Sequence, residues 1–268
     1  ANRRFFFFSS ACRPFGMVNL SPDTVNDGAW ASGYRYTEPH VLWFSHVHAW
    51  QLSGIPVLPT TGPFRGHEGP DAYRSRFTHD DEVVEPGYHA LTLADYGVRA
   101  ELTATDRVGF HRYTFHAGEG HILFDLGAEV GPSHMSDASV RQVDERTLEG
   151  YVENAPTRRR PKPVRIYFVA RFDRPFAAFG AWQSGQIVEG VDRIAGSQSG
   201  AFVRYETERE AVVQLKVALS YCGIEQARRN LEAELSHWDF DRVRREAKAV
   251  WDRWLSRIEV EGGTDAQK

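Results

Sequence analysis

Strict alternation of apolar and polar residues is the feature that most narrows what this chain can fold into. Val164, Ile166, Phe168, Ala170 and Phe172 alternate with Arg165, Tyr167, Val169 and Arg171. Val213, Leu215, Val217 and Leu219 alternate in the same way with Gln214, Lys216, Ala218 and Ser220. Successive side chains on a strand point to opposite faces, so both runs read as strands with one buried face. Similar strands are expected near 84–93, 97–104, 108–115, 121–126, 147–152 and 201–206. Turn signals such as Asp95-Tyr96-Gly97 and Ala117-Gly118-Glu119-Gly120 separate them. That many strands, with no long helical pattern between them, predict a mainly β fold: a large antiparallel two-sheet β-sandwich.

The period changes after Gly223. Ile224, Ala227, Leu231, Leu235 and Trp238 recur at spacings of three and four, one face of a helix. Asp239 is placed to cap a second helix, whose apolar face holds Phe240, Val243, Ala247, Val250, Trp254 and Ile258. Such a stripe needs a surface to cover it, either the back of the sandwich or a further domain.

Composition excludes more than it identifies. A net charge of -4 over 268 residues gives no electrostatic reason to expect nucleic acid or an anionic membrane as a partner. The basic run Arg158-Arg159-Arg160-Pro161-Lys162-Pro163 reads as a solvated loop between strands. The apolar stretch Phe5 to Phe8 is too short to span a bilayer and lacks the parts of a signal peptide. The two cysteines, Cys12 and Cys222, are either bridged or both free. No nucleophile elbow, phosphate-cradling loop, dinucleotide fingerprint or Cys-x-x-Cys pair occurs.

Candidate chemistry is densest between residues 14 and 62, where polar groups, Trp and Gly interleave without clean periodicity, as in binding loops carried on a scaffold. Trp30 and Trp50 are candidates for stacking on a sugar ring or for core packing. Asp23 and Asp27 suit sugar hydroxyls or ordinary turn chemistry, and Gln51 lies beside Trp50. His46 and His48, two apart, share one face of a strand. They suit hydroxyl contact or a structural hydrogen-bonded pair, and no further metal ligands can be placed beside them. Glycoside hydrolysis needs two carboxyls across a sugar. Neighbours in Asp80-Asp81-Glu82-Val83-Val84-Glu85 face opposite ways on a strand, so the run supplies no such pair and reads as a solvated strand start. No catalytic residue is assigned.

Several segments resemble, in order, the N-terminal domain of glycoside hydrolase family 92. They are PFGMVNLSPDT (14–24), GYRY (33–36), FSHVHAWQLSG (44–54), the long stretch 73–115 and ILFDLG (122–127). The stretch 237–263 is similar to that family's linker. The resemblance implies a sandwich like that of galactose mutarotases over 1–222 and two linker helices over 223–260. An (α/α)6-barrel catalytic domain, absent from this chain, would follow. It implies a secreted, periplasmic or cell-surface bacterial enzyme, an inverting exo-α-mannosidase acting on mannose-containing glycans. Calcium and the catalytic carboxylates are expected in the barrel, and no metal site is expected here. Trp30 matches the tryptophan before the GY motif, and His46 and His48 match a pair expected beside the pocket. The sequence departs from the pattern at Phe5–Ser10 and at Ala49-Trp50-Gln51. The alternative from another class is a free-standing carbohydrate-binding sandwich without catalysis. A mutarotase-type epimerase rests on fold analogy alone.

Overall fold

The structure, a computed structural model, describes residues 11–26, 32–49, 51–116, 118–129, 131, 133–208 and 210–267. Among these, two large antiparallel sheets face each other, as the alternation predicts. One runs Ser21–Asp23, Trp43–Ser45, Val57–Thr61, Gly118–Phe124, Ser199–Thr207, Ala178–Gln183, Gln186–Val188 in spatial order. The other runs Arg193–Ala195, Met135–Asp144, Thr147–Asn154, Val164–Phe172, Ala211–Ser220, Val108–Phe115, Val98–Ala104, Tyr88–Leu93, Val83–Glu85.

Facing side chains fill the space between the sheets. Phe124 lies nearly parallel to Phe168, with ring centroids 6.1 Å apart, and meets Phe172 edge-on. The larger sheet buries its other face as well. Tyr88, Val108, Phe110, Val169 and Ala218 form a second cluster with Ala227, Leu231, Leu235, Phe240 and Val243 of the helical segment. The helices Ile224–Glu234 and Phe240–Leu255 therefore cover the outside of this sheet. Asp239 caps the second by accepting a hydrogen bond from Arg242 N. Lys216 ends the first: its ammonium donates to Leu235 O at 3.1 Å and lies 3.6 Å from the centre of the Trp238 ring. The sheet takes up Phe240, Val243 and Ala247 of the second helix, whereas Trp254, Leu255 and Ile258 remain exposed. Among the described residues, no helix is long and apolar enough to cross a membrane.

Two strand readings change. The strand at 84–93 is a hairpin, split at Gly87 with φ 84°. The ten-residue strand Met135–Asp144 was missed, since MSDASVRQVD carries little alternation. Of the two readings left open for Cys12 and Cys222, the structure shows no bridge between them; the first is buried and the second exposed.

Candidate functional site

One hairpin from the 14–62 region is tied to a buried carboxylate. Asp23 closes the edge strand Ser21–Asp23 and is 1% exposed. Its Oδ2 accepts from Trp43 Nε1 at 2.8 Å and from Ser45 Oγ. Its Oδ1 lies 2.8 Å from His48 Nε2, and the other imidazole nitrogen lies 2.7 Å from Asn19 O. His48 belongs to the hairpin Val47–Ala49/Leu52–Gly54, so one side chain fastens this hairpin to the sheet edge. Directly after Asp23, Thr24 and Val25 pair with Gly33, closing the stem of the loop that contains Asp27 and Trp30. Trp30, Asp27 and Trp50 themselves lie outside the described residues.

His46 is fully buried and belongs to a second chain of hydrogen bonds that crosses between the sheets. Tyr113 OH donates to His111 Nδ1 at 2.7 Å, and the imidazoles meet Nε2 to Nε2 at 2.8 Å. His46 Nδ1–H donates to Ile55 O at 2.6 Å. Each polar atom has a complementary partner when both rings are neutral, His111 Nε2–H donating to His46. Burial holds them so: it lowers His46 to about 4 and His111 well below its ordinary value. Ile55 sits at φ 57°, a conformation that a β-branched residue rarely adopts. The bond from His46 fixes that carbonyl and hence the exit of the hairpin. A Cβ at Gly109 would lie 2.7 Å from His46 Cδ2, so glycine is what admits this ring against the facing strand.

The structure therefore brings Asp23, His46 and His48 together as buried supports, with their polar atoms engaged by protein groups, rather than as groups open to solvent. Gln51 is different. It lines a cleft of about 290 Å³ with Ala49, Leu52, Arg159 and Arg160. It is only 6% exposed, and its side-chain oxygen accepts from Thr157 Oγ1. The hairpin is also tied to the larger sheet. Asn154, fully buried, pairs its side-chain amide with both backbone groups of Ser53, each at 3.0 Å.

The arginine run is the part of this cleft that the sequence hid. Arg160 is not solvated as a loop residue. Its guanidinium donates to Ala155 O at 2.6 Å, to Lys162 O, and more weakly to Asn154 O and Gln51 O. It folds the 155–162 loop onto the hairpin, and among the described residues no carboxylate pairs with it. Burial alone lowers its basicity. Both terminal nitrogens of the guanidinium are taken up by main-chain carbonyls, so Arg160 shapes the cleft and gives it positive charge rather than offering it free donors. The signal lay in residues 51 and 160 meeting across a long sequence gap, which no local pattern shows.

Glu82 departs from its sequence reading too. Its side chain is 5% exposed and accepts from Tyr34 OH at 2.8 Å, from His89 Nε2 at 2.8 Å and from His79 Nδ1. These bonds outweigh desolvation and hold its carboxyl down at about 2, so it stays anionic and is a poor proton donor. Among the described residues, no group of three or more His, Cys, Asp or Glu is arranged to hold a metal ion.

Comparison with known proteins gives a consistent result. The profile of the glycosyl hydrolase family 92 N-terminal domain matches residues 2–220, and that of the family 92 catalytic domain matches residues 226–268. An uncharacterized secreted glycosidase of Arthroderma benhamiae is 24% identical, over 96% of this chain and 37% of its own length. A solved family GH92 α-mannosidase from Bacteroides thetaiotaomicron superposes with a TM-score of 0.86 at 28% identity, over 96% of this chain and 37% of that one. An inverting family GH92 mannosidase from the same organism, 21% identical, shares the fold with a TM-score of 0.85 over 96% of this chain and 34% of its own. The chain thus spans a little over a third of the length of these relatives.

Proposed function

The chain belongs to glycosyl hydrolase family 92, and we propose that it is the substrate-shaping N-terminal domain of a secreted, inverting exo-α-mannosidase. The observation that carries this reading is the hairpin that Asp23 fastens to the sheet edge through His48, which with the Arg160 loop walls a cleft lined by Gln51. No paired carboxylates suited to glycoside hydrolysis face that cleft among the described residues. The general acid and general base are therefore assigned to a catalytic domain that is this chain's partner in the parent protein. In an inverting enzyme one carboxyl protonates the leaving oxygen while the other activates water on the opposite ring face. This chain's own residues bind and orient. The cleft that Gln51 and Arg160 line receives the sugar, and Trp30 and Trp50 stack on ring faces. Calcium is proposed as a cofactor of that catalytic domain, where it would orient mannose hydroxyls.

The loop around Trp30 gives the test. In the parent enzyme, Trp30→Ala should lower kcat/KM on an α-linked mannobiose by roughly tenfold or more, about 1.4 kcal/mol of transition-state binding. A loss below about twofold would remove Trp30 from the sugar site.

A further inference from the structure

At the far edge of the larger sheet, an exposed ring is held with unusual care. Tyr36 is 67% exposed, and a single exposed aromatic residue needs no explanation by itself. Its surroundings do. The His79 ring lies against it with centroids 3.8 Å apart and planes 4° from parallel. His79 Nε2–H also donates to the backbone oxygen of Tyr36 at 2.7 Å, so one imidazole fixes both the main chain and one ring face. His79 is fixed in turn, because its Nδ1 is held by Glu82. That nearly buried carboxylate also takes the Tyr34 hydroxyl and His89. On the other side of Tyr34 the chain is pinned by Arg35 N donating to Thr24 Oγ1 at 2.8 Å and by the turn from Glu38 N to Arg35 O.

Residues from several segments, His79, Glu82, Tyr34, His89 and Thr24 among them, thus hold one ring in place. Removing rotamer freedom beforehand is what makes a small aromatic surface useful in binding, since that entropy is not lost again when a ligand arrives. The exposed ring offers a flat, apolar surface, and the Asp80 carboxylate lies close enough to His79 to act on it. A flat ring with polar neighbours matches a pyranose, whose C–H face stacks while its hydroxyls find partners. None of these residues lines the Gln51 cleft.

We infer that the Tyr36–His79 stack is a second carbohydrate-binding platform, which holds a pyranose of the glycan chain away from the Gln51 cleft. The inference rests on the glycosidase reading and extends it: the substrate class is a polymer or branched mannan long enough to engage both places.

Affinity electrophoresis of the 268-residue chain in gels containing α-mannan tests it. The wild type should be retarded. Tyr36→Phe, which keeps the ring, should stay within about twofold of it. Tyr36→Ala should weaken apparent affinity about fivefold with an unchanged melting temperature, and His79→Ala, which frees the ring, should fall between them. A Tyr36→Ala chain that melts normally and is retarded like the wild type would overturn the platform and leave the ring as a contact for another part of a protein. Absence of retardation in the wild type would overturn it equally. Mannobiose hydrolysis by the wild-type parent enzyme reads the family proposal separately, so the two failures are distinguishable.

Discussion

Replacing Asp23 by alanine should cost about 3–5 kcal/mol of unfolding free energy, the range for removing one partner of a buried ionic or hydrogen-bonded set. The Trp43 indole, the Ser45 hydroxyl and His48 would all lose their acceptor in a region closed to water. Each stranded donor then carries its own desolvation penalty. Such a loss is a large share of the 5–15 kcal/mol that holds a typical domain together. Asp23→Asn keeps the shape and one acceptor oxygen and should cost distinctly less. Urea denaturation followed by tryptophan fluorescence measures both. An Asp23→Ala loss below about 1 kcal/mol would show that the network supports little. The same substitution should loosen the 47–54 hairpin, because this side chain fastens it to the sheet edge through His48.

The second large effect is on acid stability. His46 and His111 are neutral in the fold, held there first by burial, with His46 near 4. Below pH 6.5 the unfolded chain gains protons at these rings that the folded chain refuses. Stability present above pH 6.5 is therefore lost as the pH falls from 6.5 toward 4. His46 alone contributes about 3 kcal/mol over that window, and His111 adds to it. Asp125 works the other way. Burial raises it to about 6, so between 6 and its ordinary value the folded chain binds the extra proton and acid favours the fold. The histidine contribution is best isolated by watching the rings themselves. In an NMR titration, the imidazole C–H signals of His46 and His111 should keep neutral shifts from pH 7 down to the acid transition. Titration of either ring near 6.5 in the folded protein would contradict the buried chain from Tyr113 to Ile55.

What the sequence showed and what it hid follow from how far apart the interacting residues lie. The strands 164–172 and 213–219 were legible because burial of one face leaves its mark every second residue. The two helices were legible by the same logic at a period near 3.6, and Asp239 as a cap by its chemistry. Met135–Asp144 was not, since pairing with its neighbours holds it in place and its own sequence shows little alternation. At the candidate site, spacing put His46 and His48 on one face, but His46 precedes the strand Val47–Ala49 and the two rings join separate networks. Their partners are His111, Ile55, Asn19 and Asp23, joined only by the fold. The Arg160 clasp and the Glu82 hub were read as solvated charge for the same reason. Each is buried by residues that no local window contains.

The account rests most heavily on the division of labour between this domain and a catalytic partner. Hydrolysis of α-linked mannobiose measures that division directly, with the 268-residue chain alone and the full-length parent protein assayed side by side in calcium. The account predicts mannose release by the parent enzyme, with the β-anomer appearing first, and none by the chain alone. Release by the isolated chain, or a parent protein that leaves mannobiose intact, would contradict it.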